Sequence, residues 1–161
     1  MNPSIYVKWS NQNIKLTWLP NFIPEQHLVT SSHGFCFYQG KILLVNISGR
    51  GYTNPGGHLE DNETPEEAFI REAYEEAYVR GNTYFLGAIE VNHEENPLFD
   101  TNGKYPLIGY QTYFRMDITD CLPFLSENES SSRIWVEPSL IKYVINDHDL
   151  VLNILEEAQL R

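Results

Sequence analysis

The sequence predicts a single α/β (α+β) domain, and three features carry that prediction. The runs HGFCFYQGKILLVNI and LIGYQTYFRMDI have the β-branched and aromatic content of strands, TPEEAFIREAYEEAY opens with a helix-start signature, and DHDLVLNILEEAQL closes the chain with helical periodicity. A chain of 161 residues, 42% hydrophobic and 13% aromatic, can bury a real core as one unit. No internal repeat or interdomain linker divides it, so residues 1–161 are expected to form one domain, with 1–24 as an N-terminal β-hairpin extension.

Along the chain, SIYVKW and IKLTWLP flank a polar turn, with Ile5, Val7 and Trp9 alternating on one side, as in an edge hairpin. The run HGFCFYQGKILLVNI splits at Gln39-Gly40, a hairpin turn between two core strands. Residues 48–54 read as a loop, and Pro55-Gly56-Gly57 as a sharp turn. Thr64 can cap a helix, Pro65 suits its first position, and Glu67 completes a capping box, which predicts a helix from Pro65 to Tyr78. TYFLGAIEVN reads as a strand, HEENPLFDTNGKYP as a long polar loop, LIGYQTYFRMDI as a strand, ENESSSR as a flexible turn, and RIWVEP as a short strand. In the last helix Leu150, Val151, Ile154, Leu155 and Ala158 share one side.

The net charge is −11, from 22 acids against 11 bases, and no basic stripe is present, which argues against a nucleic-acid polymer as the ligand. Eight of the acids lie between Gly57 and Val79, a local excess that invites cations. Cys36 and Cys121 lack metal-ligand spacing and read as reduced, buried thiols. No signal peptide and no apolar run of membrane-spanning length is present, so the cytoplasm is the expected compartment and no membrane partner is expected. Oligomeric state is not written in these features, and a homodimer stays open.

At about 100° per residue, Glu72, Glu75 and Glu76 fall within roughly 100° of one another on the predicted helix. Ile70, Ala73, Tyr74 and Ala77 form an apolar face, expected to pack on the sheet with the carboxylates turned away. Like charges three and four residues apart cost a few tenths of a kcal/mol each, so stability gives no reason to cluster them. A hard divalent cation such as Mg²⁺, bound through carboxylates and substrate phosphates, reverses that sign. The bland alternative is a solvated acidic helix face.

Spacing favours the cation. Gly57, five residues, Glu63, seven residues, then Arg71-Glu72-Ala73-Tyr74-Glu75-Glu76-Ala77-Tyr78-Val79 resembles the Nudix box, Gly-x5-Glu-x7-Arg-Glu-U-x-Glu-Glu-x-Gly-U, where U is bulky and apolar. Six demanding positions match, an agreement expected by chance on the order of once in 10⁷ starting points. The resemblance implies an α/β/α sandwich with a mixed β-sheet between helices. Two positions depart: Ala73 is small for U, and Tyr78 replaces the Gly that supplies a left-handed helix end. The helix is therefore expected to run on to Arg80, with Gly81 as its stop.

The resemblance also implies Mg²⁺-dependent hydrolysis of a nucleoside diphosphate linked to some group X, with Mn²⁺ as a substitute. Glu72, Glu75 and Glu76, with the Gly56 carbonyl, would hold one to three ions, Glu63 would contribute through water or as an outer ligand, and Arg71 would fix the carboxylates. The ions neutralise the diphosphate and activate the attacking water. The family takes its general base from the box or from a later loop, which leaves Glu76, Glu127, Glu129, Glu94 and Glu95 as candidates, with a box glutamate favoured. Arg50 could meet a phosphate, and Tyr52, Phe99, Tyr110 or Trp135 could stack a base, each weighed against plain surface or packing. His33, His58 and His93 read as structural. The expected substrate is a small nucleotide: a nucleoside triphosphate, an oxidised one included, or a nucleotide sugar. The competing readings are a Nudix-fold nucleotide-binding regulatory module without turnover and a purely structural acidic domain.

Overall fold

The run Ile42-Leu43-Leu44-Val45 has no polar residue to alternate with because both of its faces are covered. It lies in β4 (Lys41–Ile47), which has neighbours on both edges in a mixed sheet that also contains β1 (Ser4–Trp9), β2 (Gln12–Pro20), β3 (Val29–Tyr38), β5 (Gly51–Thr53), β6 (Gly56–His58), β7 (Val79–Asn92), β8 (Ile108–Cys121) and β9 (Ser130–Val136). Three helices accompany it: α1 (Pro65–Ala77), α2 (Ile141–Val144) and α3 (Leu150–Gln159). The structure, a computed structural model, describes residues 1–161. Strand order is β1-β2-β7-β8-β3-β4-β5, with β6 paired to β3 and β9 to β4; only β3 and β8 run parallel.

Alternation along the strands divides the interior into two cores. Phe35, Ile42 and Leu44 join Ile14, Leu16 and Trp18 of β2 against Leu150, Val151, Ile154, Leu155 and Ala158 of α3. Cys36, Leu43 and Val45 face the other way, onto Phe69, Ala73 and Ala77 of α1. This is the expected sandwich, a mixed sheet between helices. The N-terminal hairpin is built into it: Ser10 and Asn11 turn with φ of 50° and 65°, and β2 pairs with β7 along six residues. Gln39-Gly40 makes the second such turn, with φ of 51° and 77°.

Several local expectations are corrected. Where residues 48–57 read as loop and turn, β5 and β6 form as short strands. Strand β7 starts at Val79, and β9 takes in Ser130–Ser132, because Val79 pairs with Cys121, Ser130 with Ile47 and Ser132 with Asn46. Cys121 is exposed. Helix α1 ends at Ala77 instead of running on to Arg80. Tyr78 itself takes the left-handed conformation (φ 57°, ψ 42°), which costs a non-glycine residue about 1–2 kcal/mol and must be held by its surroundings. Gly81 sits inside β7 beside a bulge, where a Cβ would collide with the Asp117 carbonyl. No helix is long and apolar enough to cross a membrane.

Candidate active site

The capping box closes the start of α1: the Glu67 amide donates to Thr64 Oγ1 (3.1 Å), and the Thr64 amide donates to Glu67 Oε1 (2.9 Å). Helix α1 lies against β6, whose glycines let the backbone approach closely. The Gly56 amide donates to Glu76 Oε1 (3.0 Å), and a Cβ on Gly57 would stand 2.5 Å from Glu72 Oε1. Gly57→Ala is therefore expected to push the Glu72 carboxylate aside and weaken Mn²⁺ binding by about tenfold, or ~1.4 kcal/mol, with the far-ultraviolet circular dichroism unchanged. Isothermal titration checks it.

The helix buries a different face from the expected one. Phe69, Ala73 and Ala77 meet the sheet, while Ile70 and Tyr74 are exposed. On the wheel the buried arc is centred between Glu72 and Ala73, so Glu72 and Glu76 fall within it and Glu75 lies at its edge, and Glu76 is only 5% exposed. Arg71 organises the rest. Its Nε and Nη2 donate to Glu63 (2.7 and 3.0 Å), Nη1 to Glu72 Oε1 (2.9 Å) and Glu75 Oε2 (3.3 Å), and Nη2 to the His58 carbonyl (3.1 Å). Glu63 also accepts from the Glu60 amide (2.9 Å).

These contacts separate the carboxylates electrostatically. The Arg71 guanidinium holds Glu63 below its usual value. Glu72 is raised, because burial outweighs the same guanidinium. Burial pushes Glu76 up to about 7 against the help of the Gly56 amide, with Glu72 and Glu129 adding to the rise. A raised carboxyl favours the fold while protonated, so this contribution is full below the ordinary value of 4.5 and is lost as pH rises through about 7. His33, lowered to about 4 by burial, works in the opposite sense on the acid side. Glu76→Gln isolates the Glu76 part. In EDTA the variant is expected to lose less stability than wild type between pH 5 and pH 8, by up to about 3 kcal/mol, as thermal unfolding would measure.

The side chains do not preassemble a set of three or more metal-ligating groups about one point. The donor set nevertheless fits a hard cation that keeps waters and shares phosphate oxygens. Glu72, Glu75 and Glu76 each spend one oxygen within the chain and leave the other without a hydrogen bond. None of those second oxygens is a buried orphan. A buried carboxylate held by one amide is also a group that a cation would stabilise.

Gly56, Arg71, Glu72, Glu75 and Glu76 line one cleft of about 830 Å³, together with Arg50 and Glu129. Arg50 Nη2 stands 3.9 Å from Glu129 Oε2. Glu63 supports the cleft from behind through Arg71. The structure does not bring the other candidate bases to it: the Glu127 amide donates to the Tyr78 hydroxyl (2.9 Å), Glu94 folds onto Asn92, and Glu95 accepts from Tyr6 (2.8 Å). Nor does it bring the four aromatic candidates there. Tyr52 reaches Ser132, Trp135 packs on Tyr38, Tyr110 on Phe22, and Phe99 on His93.

Walls that sequence reasoning passed over come from the sheet. Trp9, Gln12 and Ile14 of the hairpin, Ser31 and His33 of β3, Gln111 of β8, and His58, His93 and Tyr105 line the cleft. The hairpin is held over it by Asn96 Nδ2 donating to Gln12 Oε1 (2.8 Å). His33 contacts Ser31 Oγ (2.9 Å), stacks on Tyr113 and stays neutral. A side cavity of about 350 Å³ continues past Trp9, His33 and Gln111 to Asn54 and His148, where Asn54 Nδ2 is buried without a partner.

Comparison with known proteins gives a consistent picture. The model of the NUDIX domain matches residues 30–153. A Bacillus subtilis (strain 168) protein with the provisional name 8-oxo-dGTP diphosphatase YtkD is 41% identical over 61 residues. That match covers 37% of this chain and 39% of the relative's own length. Among solved structures, the fold is similar to the B. subtilis pyrophosphohydrolase BsRppH, with a TM-score of 0.70, 19% identity and 96% of each chain covered. It is also similar to a NUDIX hydrolase from Nitrosomonas europaea, with a TM-score of 0.63, 19% identity and 82% and 89% of the two chains covered.

Proposed function

The chain belongs to the NUDIX domain family, and from that premise we propose that it is a divalent-metal-dependent pyrophosphohydrolase acting on a nucleoside diphosphate linked to X. The observation that carries this reading is the row of Glu72, Glu75 and Glu76, each with one oxygen free of hydrogen bonds, along a cleft that Arg50 also lines. Glu72, Glu75, Glu76 and the Gly56 carbonyl would hold Mg²⁺ or Mn²⁺. Bound there, the ion supplies charge neutralisation and an activated water. Arg71 keeps Glu72 and Glu75 facing the cleft and is the inner support for their negative charge. Arg50, exposed in the same cleft, takes a phosphate oxygen. Glu129 or Glu76 takes the proton of the attacking water; both border the same cleft.

The substrate is a nucleoside triphosphate, with an oxidised purine triphosphate as the first candidate because of the name borne by the B. subtilis relative. Trp9 and Tyr105 are the aromatic faces available to a base in the cleft. Turnover of ordinary and oxidised nucleoside triphosphates, ADP-ribose, other nucleotide sugars and dinucleoside polyphosphates with Mg²⁺ tests the reading. Metal-dependent release of pyrophosphate or a nucleoside monophosphate from one member is expected. Nucleotide binding without turnover of any member points to a regulatory module instead.

A further inference from the structure

The end of α1 is bound through successive carbonyls by one segment, residues 122–133. Asn128 Nδ2 donates to the Glu75 carbonyl (3.1 Å), Ser130 Oγ to the Glu76 carbonyl (2.5 Å), and Arg133 Nη1 to the Ala77 carbonyl (2.8 Å). The Leu122 amide then donates to the Tyr78 carbonyl (2.9 Å). These groups take up the carbonyls that a helix end leaves without partners. Any residue at 78 could permit them, since none uses its side chain.

The Tyr78 side chain adds what a glycine cannot. Its hydroxyl accepts from the Glu127 amide (2.9 Å), and its ring meets Phe124 edge to face at 5.3 Å. The residue is 6% exposed although it lies at a helix end next to a surface segment. Its hydroxyl is the one side-chain acceptor for the backbone amides of residues 123–129, and it holds the chain two residues before Glu129. Glu129 itself is exposed, yet it borders the cleft beside Glu72, Glu75 and Glu76.

We propose that Tyr78 is a positioning residue: its hydroxyl and ring latch residues 122–129 across the end of α1, so that Glu129 stays at the edge of the carboxylate cleft. This rests on the hydrolase reading given above. The left-handed tyrosine is then the cost of adding, to the ties that Leu122, Asn128, Ser130 and Arg133 make, a hold at Phe124 and Glu127 that a glycine would lack.

The test uses Tyr78→Phe, which keeps the ring and removes one oxygen, and Tyr78→Gly, which relieves the backbone and removes the latch. Hydrogen exchange at the Glu127 amide is expected to quicken at least about fivefold in Tyr78→Phe, the loss of one hydrogen bond. On the substrate identified by the panel, kcat is expected to fall about fivefold or more, with KM and Mn²⁺ affinity unchanged. Tyr78→Gly should lose at least as much kcat even if its melting temperature holds or rises. Combined with Glu129→Gln, Tyr78→Phe should reduce kcat no further than Glu129→Gln alone. Unchanged Glu127 exchange overturns the latch. Faster exchange with wild-type kcat, or effects that multiply in the double variant, overturns the positioning role. Failure of the hydrolase reading is distinct from both, because it appears in the wild type as no turnover of any panel member.

Discussion

Glu76→Gln is expected to lower turnover by at least about 100-fold while the protein still folds. The substitution keeps shape and an oxygen for the Gly56 amide, now 3.0 Å away, but removes the charge from the most deeply buried of the three carboxylates. A 100-fold loss corresponds to about 2.7 kcal/mol of transition-state stabilisation, a modest share of what bound cations supply in phosphoryl chemistry. Glu75→Gln is expected to act in the same direction. Steady-state rates at saturating Mg²⁺, beside circular dichroism spectra, check both variants. Wild-type rates in the two would remove the carboxylate row from the reaction.

Arg71→Ala is expected to damage stability and activity together. The guanidinium is 20% exposed and serves Glu63, Glu72, Glu75 and the His58 carbonyl at once. Its removal leaves the charge of Glu63, 13% exposed, with only the Glu60 amide, and that of Glu72, 15% exposed, with no hydrogen-bond partner. Breaking such a partly buried set costs about 3 kcal/mol. It also frees Glu72 to leave the cleft, so a fall in turnover of at least about tenfold accompanies it. Arg71→Lys separates charge from shape: an ammonium keeps the charge but cannot span several carboxylates as a planar fork does. Urea unfolding and turnover should place it between wild type and Arg71→Ala. A lysine variant equal to wild type in both would mean that Arg71 serves as a charge alone.

Much of the fold was legible because local chemistry and tertiary demand agree. Thr64, Pro65 and Glu67 form the expected helix start, Gln39-Gly40 the expected turn, and the apolar stripe of α3 the expected core face. The row of carboxylates was legible for the same reason, since helical spacing alone gathers them. Depth was not. Periodicity placed Ile70 and Tyr74 inward, whereas the short side chains of Ala68, Ala73 and Ala77 let α1 sit close, with Phe69 filling the gap and Glu76 drawn under.

Two further gaps have the same physical origin, contacts distant in sequence. Tyr78 was expected to refuse the left-handed state on its own preference, but Glu127 and Phe124, brought by the far end of β8, hold it there. The walls of the cleft depend on register. His33 opposite Gly56, and Ser31 opposite Gln111, follow from pairings that no local pattern announces. The same register decides the fate of Tyr52 and Trp135, whose strands turn them into packing positions.

The most direct measurement is diffraction from crystals soaked in Mn²⁺ at pH 8, where Glu76 is ionised. The account predicts an anomalous peak in the cleft within roughly 2.0–2.6 Å of carboxylate oxygens from α1, Glu76 among them. A map with no cation beside α1, and with Glu72 and Glu75 still paired to Arg71, would contradict it.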